Sequence, residues 1–137
     1  MIEIFFANSY GEFMSKTILV VEDNKDNSLL TEKILVHYGY LVKITEDGRS
    51  TVEMCKKKSP PGLILMDISL PDIEGLELIK EIKKIALYEY VPVVAVTAHS
   101  TKEMSEKILK AGFVNTLFKP FTPSELIKIV QQYIGQS

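Results

Sequence analysis

The chain has 137 residues, 46% apolar and 25% charged, with a formal charge of −2 from 16 basic and 18 acidic side chains. A soluble chain of this size is one domain that buries roughly 68–70% of its unfolded surface, so it needs no disulfide or structural metal, and its apolar content excludes disorder. The balanced charge leaves no basic footprint for nucleic acid, and no apolar run approaches the ~20 residues of a membrane helix.

Residues 1–13 carry Glu3 and no basic side chain, so they do not read as a signal peptide. Met14-Ser15-Lys16 resembles an ordinary protein start. Residues 1–15 are therefore expected to be an N-terminal extension, and 16–137 the domain. From there, short apolar runs alternate with amphipathic stretches. Five runs predict strands: Thr17–Val21, Leu41–Thr45, Leu63–Met66, Val91–Val96 and Phe113–Phe118. Three are nearly continuous in apolar residues, as for parallel strands covered on both faces, and the more polar second and fifth belong at the edges.

The first helix is expected to place Leu30, Ile34 and Tyr38 on its core face and to stop at Gly39. The second spans roughly Asp47–Lys58 and ends before Ser59-Pro60-Pro61-Gly62. The third packs Leu78, Ile79, Ile82 and Ile85. The fourth packs Met104, Ile108 and Ala111 and stops at Gly112. The fifth opens at Thr122-Pro123, a cap residue before Pro at the first helical position, and packs Leu126, Ile127, Val130 and Ile134. Alternating strands and helices predict an α/β (βα)₅ domain, a doubly wound five-stranded parallel sheet. Its expected strand order is 2-1-3-4-5.

The chemistry lies at the carboxyl ends of the strands. Glu22-Asp23-Asn24 closes the first, Asp67 the third, Thr97 the fourth and Lys119-Pro120 the fifth. In open parallel sheets ligands bind outside the carboxyl ends of the strands, where the strand order reverses. Glu22, Asp23 and Asp67 are thus expected to converge on one crevice, with Thr97 and Lys119 on its far wall. Clustered carboxylates repel, and a hard divalent cation relieves them; so sparse a set suits Mg²⁺ better than Ca²⁺. Lys119 adds a point charge for a phosphoryl oxygen and Thr97 a short hydroxyl donor. Together they describe a phosphoryl-transfer site whose nucleophile is a carboxylate.

The segments ILVVEDN (18–24), LILMDISLP (63–71), PVVAVTA (92–98) and LFKPF (117–121) resemble the receiver domain of bacterial two-component response regulators, over residues 16–134 or so. VEDNKDN (21–27) is similar to hybrid-kinase receivers and to free-standing DivK-type regulators. The resemblance implies a flavodoxin- and CheY-like fold and a phosphorelay module. Asp67 would accept a phosphoryl group from the phosphohistidine of a sensor histidine kinase or a histidine phosphotransfer protein. Glu22, Asp23, Asp67 and the backbone carbonyl of Ser69 would hold Mg²⁺. Thr97 would be the switch hydroxyl, Lys119 would pair with the phosphoryl oxygen, and Lys119-Pro120 would be a cis peptide. The implied setting is cytoplasmic, with no nucleic-acid or membrane partner, and switching rather than metabolic catalysis is the purpose. The downstream target is not implied.

Three positions depart from the pattern. Thr116 and Asn115 stand where an aromatic residue and Asp are usual, and Gly62 stands where Asp is frequent. Without a ring at 116, large aromatic switching is expected to be minor. Signalling is expected to run through docking of a helical partner on Asn24–Leu30 and the 119–122 loop. Phe118 is either core under a helix or an exposed neighbour of Phe121. Cys55 and His37 read as a packing residue and a helix C-terminal cation; His99 either affects water access to the crevice or only faces solvent. A haloacid-dehalogenase-like phosphatase is disfavoured because Asp67-Ile68-Ser69 lacks a second carboxylate. A flavodoxin-like FMN carrier is disfavoured because Glu22-Asp23 repels phosphate. The start and the short polar tail favour a complete single-domain regulator over an excised piece.

Overall fold

The computed structural model describes residues 5–7 and 13–135. In chain order the elements are β1 (Phe5–Ala7), β2 (Phe13–Ser15), β3 (Thr17–Val21), α1 (Lys25–His37), β4 (Leu41–Thr45), α2 (Gly48–Lys57), β5 (Leu63–Asp67), α3 (Gly75–Lys83), a 3₁₀ turn (Ala86–Tyr88), β6 (Val93–Thr97), α4 (Lys102–Ala111), β7 (Asn115–Phe118) and α5 (Pro123–Tyr133). The five longer strands form one parallel sheet ordered β4-β3-β5-β6-β7, the expected 2-1-3-4-5 order. The polar strands β4 and β7 occupy its edges.

β3, β5 and β6 are buried along their whole length, which their unbroken apolar runs require. Successive side chains point to opposite faces and feed two cores. Leu19, Val21, Ile64, Met66, Val93 and Ala95 meet α2, α3 and α4. Ile18, Val20, Leu63, Leu65, Val94 and Val96 meet α1 and α5. Each such side chain contributes on the order of 1.5–3 kcal/mol. Cys55 packs in the first core, where burial pushes its thiol up to about 11, so it is an inert packing residue.

Two strands start later than their apolar runs. Pro92 has no N–H to donate, and its carbonyl accepts the Ile64 N–H, so the β6 ladder opens at Val93. Phe113 closes α4 by donating its N–H to Ile108, after Gly112 turns with φ +112°, and β7 opens at Asn115. α5 begins as the sequence implies. The Thr122 hydroxyl accepts the Glu125 N–H, and the Glu125 side chain returns to the Thr122 N–H in a capping box. The extension places β2 antiparallel to β1, a pairing the apolar pattern did not disclose. Gly62 admits this strand's exit: a Cβ there would run into the Ser15 carbonyl.

α1 corrects the expectation for its packing. Its buried residues are Ser28, Thr31 and Leu35, while Leu30 is 60% exposed and Val36 54%. Tyr38 also faces out, whereas Ile34 is half-buried and packs against the α1–α5 core as expected. The helix carries apolar residues around most of its circumference, so periodicity cannot choose a face. Small side chains at 28 and 31 allow close approach to the sheet. The Ser28 hydroxyl donates to the Lys25 carbonyl, which limits its cost of burial. Leu35→Ala should therefore cost about 2–5 kcal/mol in denaturant unfolding. Leu30→Ala, on the stripe periodicity favoured, should stay within roughly 0.5 kcal/mol.

Candidate functional site

β3, β5, β6 and β7 end at one edge of the sheet, and each delivers a polar side chain there. Parallel registry does this directly: Val21 stands beside Met66, Asp67 beside Val96 and Thr97 beside Phe118. Glu22 and Asp67 are buried, whereas Asp23 faces solvent. Carboxylate oxygens of all three lie within 4.8 Å of one another. At an effective dielectric of ~20, like charges at that separation repel by roughly 3 kcal/mol per pair.

Lys119 supplies the compensation. Its Nζ donates to Asp67 Oδ2 at 2.7 Å and to Glu22 Oε1 at 2.8 Å. The ammonium reaches them because Lys119 is tied to the sheet end, its N–H donating to the Thr97 carbonyl at 2.9 Å. The adjoining Lys119–Pro120 peptide is cis, as expected. Desolvation lowers the pKa of Lys119, but hydrogen bonds and charge from Asp67 and Glu22 prevail and raise it. Burial is the main cause holding the Glu22 carboxyl above its usual range; Asp67 adds to the rise and Lys119 opposes it. One ammonium against three carboxylates leaves the cluster short of positive charge.

The remaining expected residues also gather here. The Ser69 N–H donates to Asp67 Oδ1 at 2.8 Å, so the loop after β5 returns against its own carboxylate. Thr97 is buried, and its Oγ1 accepts the His99 N–H at 3.0 Å. His99 itself is exposed. Phe118 is 40% exposed and shares the sheet face of its register partner Thr97. Phe121 instead packs against the α1–α5 core, so the two rings do not form a joint patch.

Three features escaped sequence reasoning. A cavity of about 430 Å³ opens beside Asp67 and Lys119, walled by Asn27, Leu30, Thr31, Pro120 and Phe121. Leu30, turned out of the core, forms part of its wall. Gly75 passes so close under β5 that a Cβ would sit 2.8 Å from Ile68 Cα and 2.9 Å from the Asp67 carbonyl. Asp72 reaches the first turn of α2, its two oxygens accepting the Gly48 and Arg49 N–H groups at 2.8 and 3.0 Å. No local signal announces a contact across 23 or 24 residues.

A family model for the response regulator receiver domain matches residues 18–131. The chain belongs to that family. It is 33% identical over 124 residues to the polar-differentiation response regulator DivK of Brucella ovis, covering 90% of this chain and all of that relative. The receiver domain of the Pseudomonas aeruginosa sensor histidine kinase PA1611 superposes with a TM-score of 0.79 at 36% identity. That match covers 87% of this chain and 97% of the other, and that structure has a magnesium ion coordinated in its active-site cleft. Vibrio cholerae chemotaxis protein CheY4 gives a TM-score of 0.81 at 25% identity, covering 86% and 98%. The protein is therefore a CheY-like receiver domain of two-component signalling, and receivers of this kind interact with histidine kinases or phosphotransfer proteins. Among the described residues no helix is long and apolar enough to cross a membrane.

The raised pKa of Glu22 has a definite sign in receiver stability. Below the ordinary carboxyl pKa Glu22 is neutral in both folded and unfolded chains, and its contribution is fully present. That contribution is lost as pH rises through the raised folded value. In metal-free protein, Glu22→Gln should melt with wild type near pH 4 and above it at pH 7. A thermal difference that shrinks with rising pH contradicts this account.

Proposed function

We propose that Asp67 is the phosphoryl acceptor of this receiver, that Glu22, Asp23, Asp67 and the Ser69 carbonyl hold Mg²⁺, and that Lys119 and Thr97 receive the new phosphoryl charge. The observation that carries this reading is the Lys119 ammonium shared between Asp67 and Glu22. It pins the nucleophile beside a cluster still short of positive charge. Oxygen-only donors of this kind suit a hard divalent ion, and the few protein ligands leave room for metal waters. When bound, Mg²⁺ supplies positive charge to the phosphoryl oxygens.

In the transfer step an Asp67 carboxylate oxygen attacks the phosphorus of a partner's phosphohistidine. The new P–O bond replaces the P–N bond, and the imidazole leaves with that electron pair and takes a proton. Before attack Lys119 and the Ser69 N–H fix the two Asp67 oxygens in place. Afterwards the Lys119 ammonium is positioned to pair with a phosphoryl oxygen, and the Thr97 hydroxyl can turn from the His99 N–H to donate to another. Hydrolysis of the acyl phosphate restores the carboxylate. The cytoplasm, where kinase and phosphotransfer domains operate, is the setting of this exchange.

The donor docks as a helix along α1 and the 119–122 loop. Leu30 and the cavity wall formed by Pro120 and Phe121 support this, because they present apolar surface beside the nucleophile. Thr116, half-buried and without a ring, leaves the face near α4 little to rearrange. Asp67→Asn should abolish the mass increase of one phosphoryl group produced by acetyl phosphate and Mg²⁺. Equal labelling of that variant would remove Asp67 from its role. Leu30→Asp should slow transfer from a phosphorylated kinase or phosphotransfer domain at least tenfold and leave acetyl phosphate labelling unchanged. Equal slowing of both would place Leu30 in the chemistry rather than in docking.

A further inference from the structure

The first turn of α2 takes part of its capping from a distant loop. A helix begins with four N–H groups lacking intrahelical partners. Here the Asp47 side chain accepts the Ser50 N–H at 2.8 Å, and its carbonyl accepts the Thr51 N–H in the first ordinary intrahelical bond. The N–H groups of Gly48 and Arg49 go to Asp72 in the loop between β5 and α3. These bonds hold the Asp72 carboxyl below its ordinary range. Gly48 is part of the fit, because a Cβ there would collide with Ile73.

The same turn also reaches the other side of the crevice. Thr51 Oγ1 lies 2.7 Å from Thr45 Oγ1, at the end of β4. The Thr45 carbonyl accepts the N–H of Glu22 at 3.0 Å. α2 is thus linked to segments on both sides of the crevice. One contact runs through Thr45 to the Glu22-Asp23 segment, and the other through Asp72 to the loop bearing Ser69.

The Ser69 loop is closed by local contacts and by two apolar side chains. Its near end is held by the Ser69 N–H on Asp67 and its far end by the Gly75 N–H on the Ile68 carbonyl at 2.7 Å. Between them, Ser69 bridges to Glu74, and Leu70 and Ile73 pack against the core shared with α2, α3 and α4, while Ser69, Pro71 and Asp72 are exposed. Exposed segments that bury little surface open more easily than the core. Asp72 adds a hydrogen-bonded tie from the exposed apex to a second element, α2.

We propose that Asp72 is a positioning residue for the cation site: by clamping the β5–α3 loop to the first turn of α2, it holds the Ser69 carbonyl where a divalent cation in the crevice can use it. The inference rests on the metal-site reading above. Linkage makes the clamp reciprocal: if it favours the metal-competent loop, bound metal must favour the clamp by the same factor.

Mg²⁺ titration of the full chain by calorimetry, paired with amide hydrogen exchange, tests this. Asp72→Ala should weaken Mg²⁺ binding about fivefold, at the low end of typical coupling between sites. Asp72→Asn, which keeps one acceptor oxygen, should fall between. In the wild type, saturating Mg²⁺ should slow exchange of the Gly48 and Arg49 amides by a similar factor and leave Ser50, bonded to Asp47, unchanged. The exchange arm needs no variant, so a poorly folded Asp72→Ala would leave the test intact. Equal Mg²⁺ affinity in wild type and Asp72→Ala, or no slowing at Gly48 and Arg49, overturns the clamp while leaving the metal site standing. Absence of Mg²⁺ binding to the wild type overturns the site reading and the clamp with it.

Discussion

One ammonium makes this crevice possible. Two buried carboxylates brought together at the sheet end repel, and a cation between them offsets the repulsion. Lys119 is that cation, at 2.7 Å from Asp67 and 2.8 Å from Glu22. Its position in turn depends on β7 lying parallel to β6, because the Lys119 backbone bonds to Thr97 one strand away. The placement of Asp67 is thus a property of sheet topology: four strands must end together before four side chains can meet. Neutralisation is incomplete, since Asp23 also faces the cluster. The incompleteness is useful. A fully paired site would have no appetite for a divalent ion or for the charge that a phosphoryl group brings.

The architecture was legible because its strands are unambiguous. Unbroken apolar runs identify buried parallel strands, and polar residues at their ends can be read in order as a site. β3 and β4 emerged with the bounds that their composition implies. Elsewhere the bounds moved where backbone hydrogen bonding, which composition does not display, decides the ladder; Pro92 and Gly112 are the instances. The crevice residues were legible for the same reason as the strands, since each sits one or two positions beyond an apolar run. Asp72 was not. It lies in an exposed loop among residues suited to any turn, and its partners are backbone amides more than twenty positions earlier.

α1 shows a different limit. Periodicity identifies a core face only when the opposite face is polar. With Leu29, Leu30, Ile34, Leu35, Val36 and Tyr38 in one thirteen-residue helix and its cap, several faces qualify. The fold chooses the one with the smallest side chains, Ser28 and Thr31, and that choice has two consequences at once. It brings the helix close to the sheet while leaving a cavity beside Thr31, and it turns Leu30 outward beside that cavity. An apparent misassignment of apolar residues thereby places apolar surface beside the crevice. Exposed apolar side chains adjacent to a charged crevice are a poor way to stabilise a monomer and a good way to bind a helix.

The two faces of the crevice are therefore built to different rules. On the side of α1 and the 119–122 loop, the protein exposes apolar surface and keeps a cavity, features that lower its own stability and suit a transient partner. On the side of α2 and the β5–α3 loop, close backbone approach prevails. Gly48 lies against Ile73, Gly75 lies against Ile68 and Asp67, and the first turn of α2 has all four of its N–H groups bonded. A cation site needs the second kind of construction, because ligand oxygens displaced by a fraction of an ångström lose most of their coordination. A docking face needs the first, because a partner must arrive, transfer and leave. Asp67 stands where the two meet, with one oxygen on the Ser69 amide of the rigid loop and the other on the Lys119 ammonium that borders the open cavity.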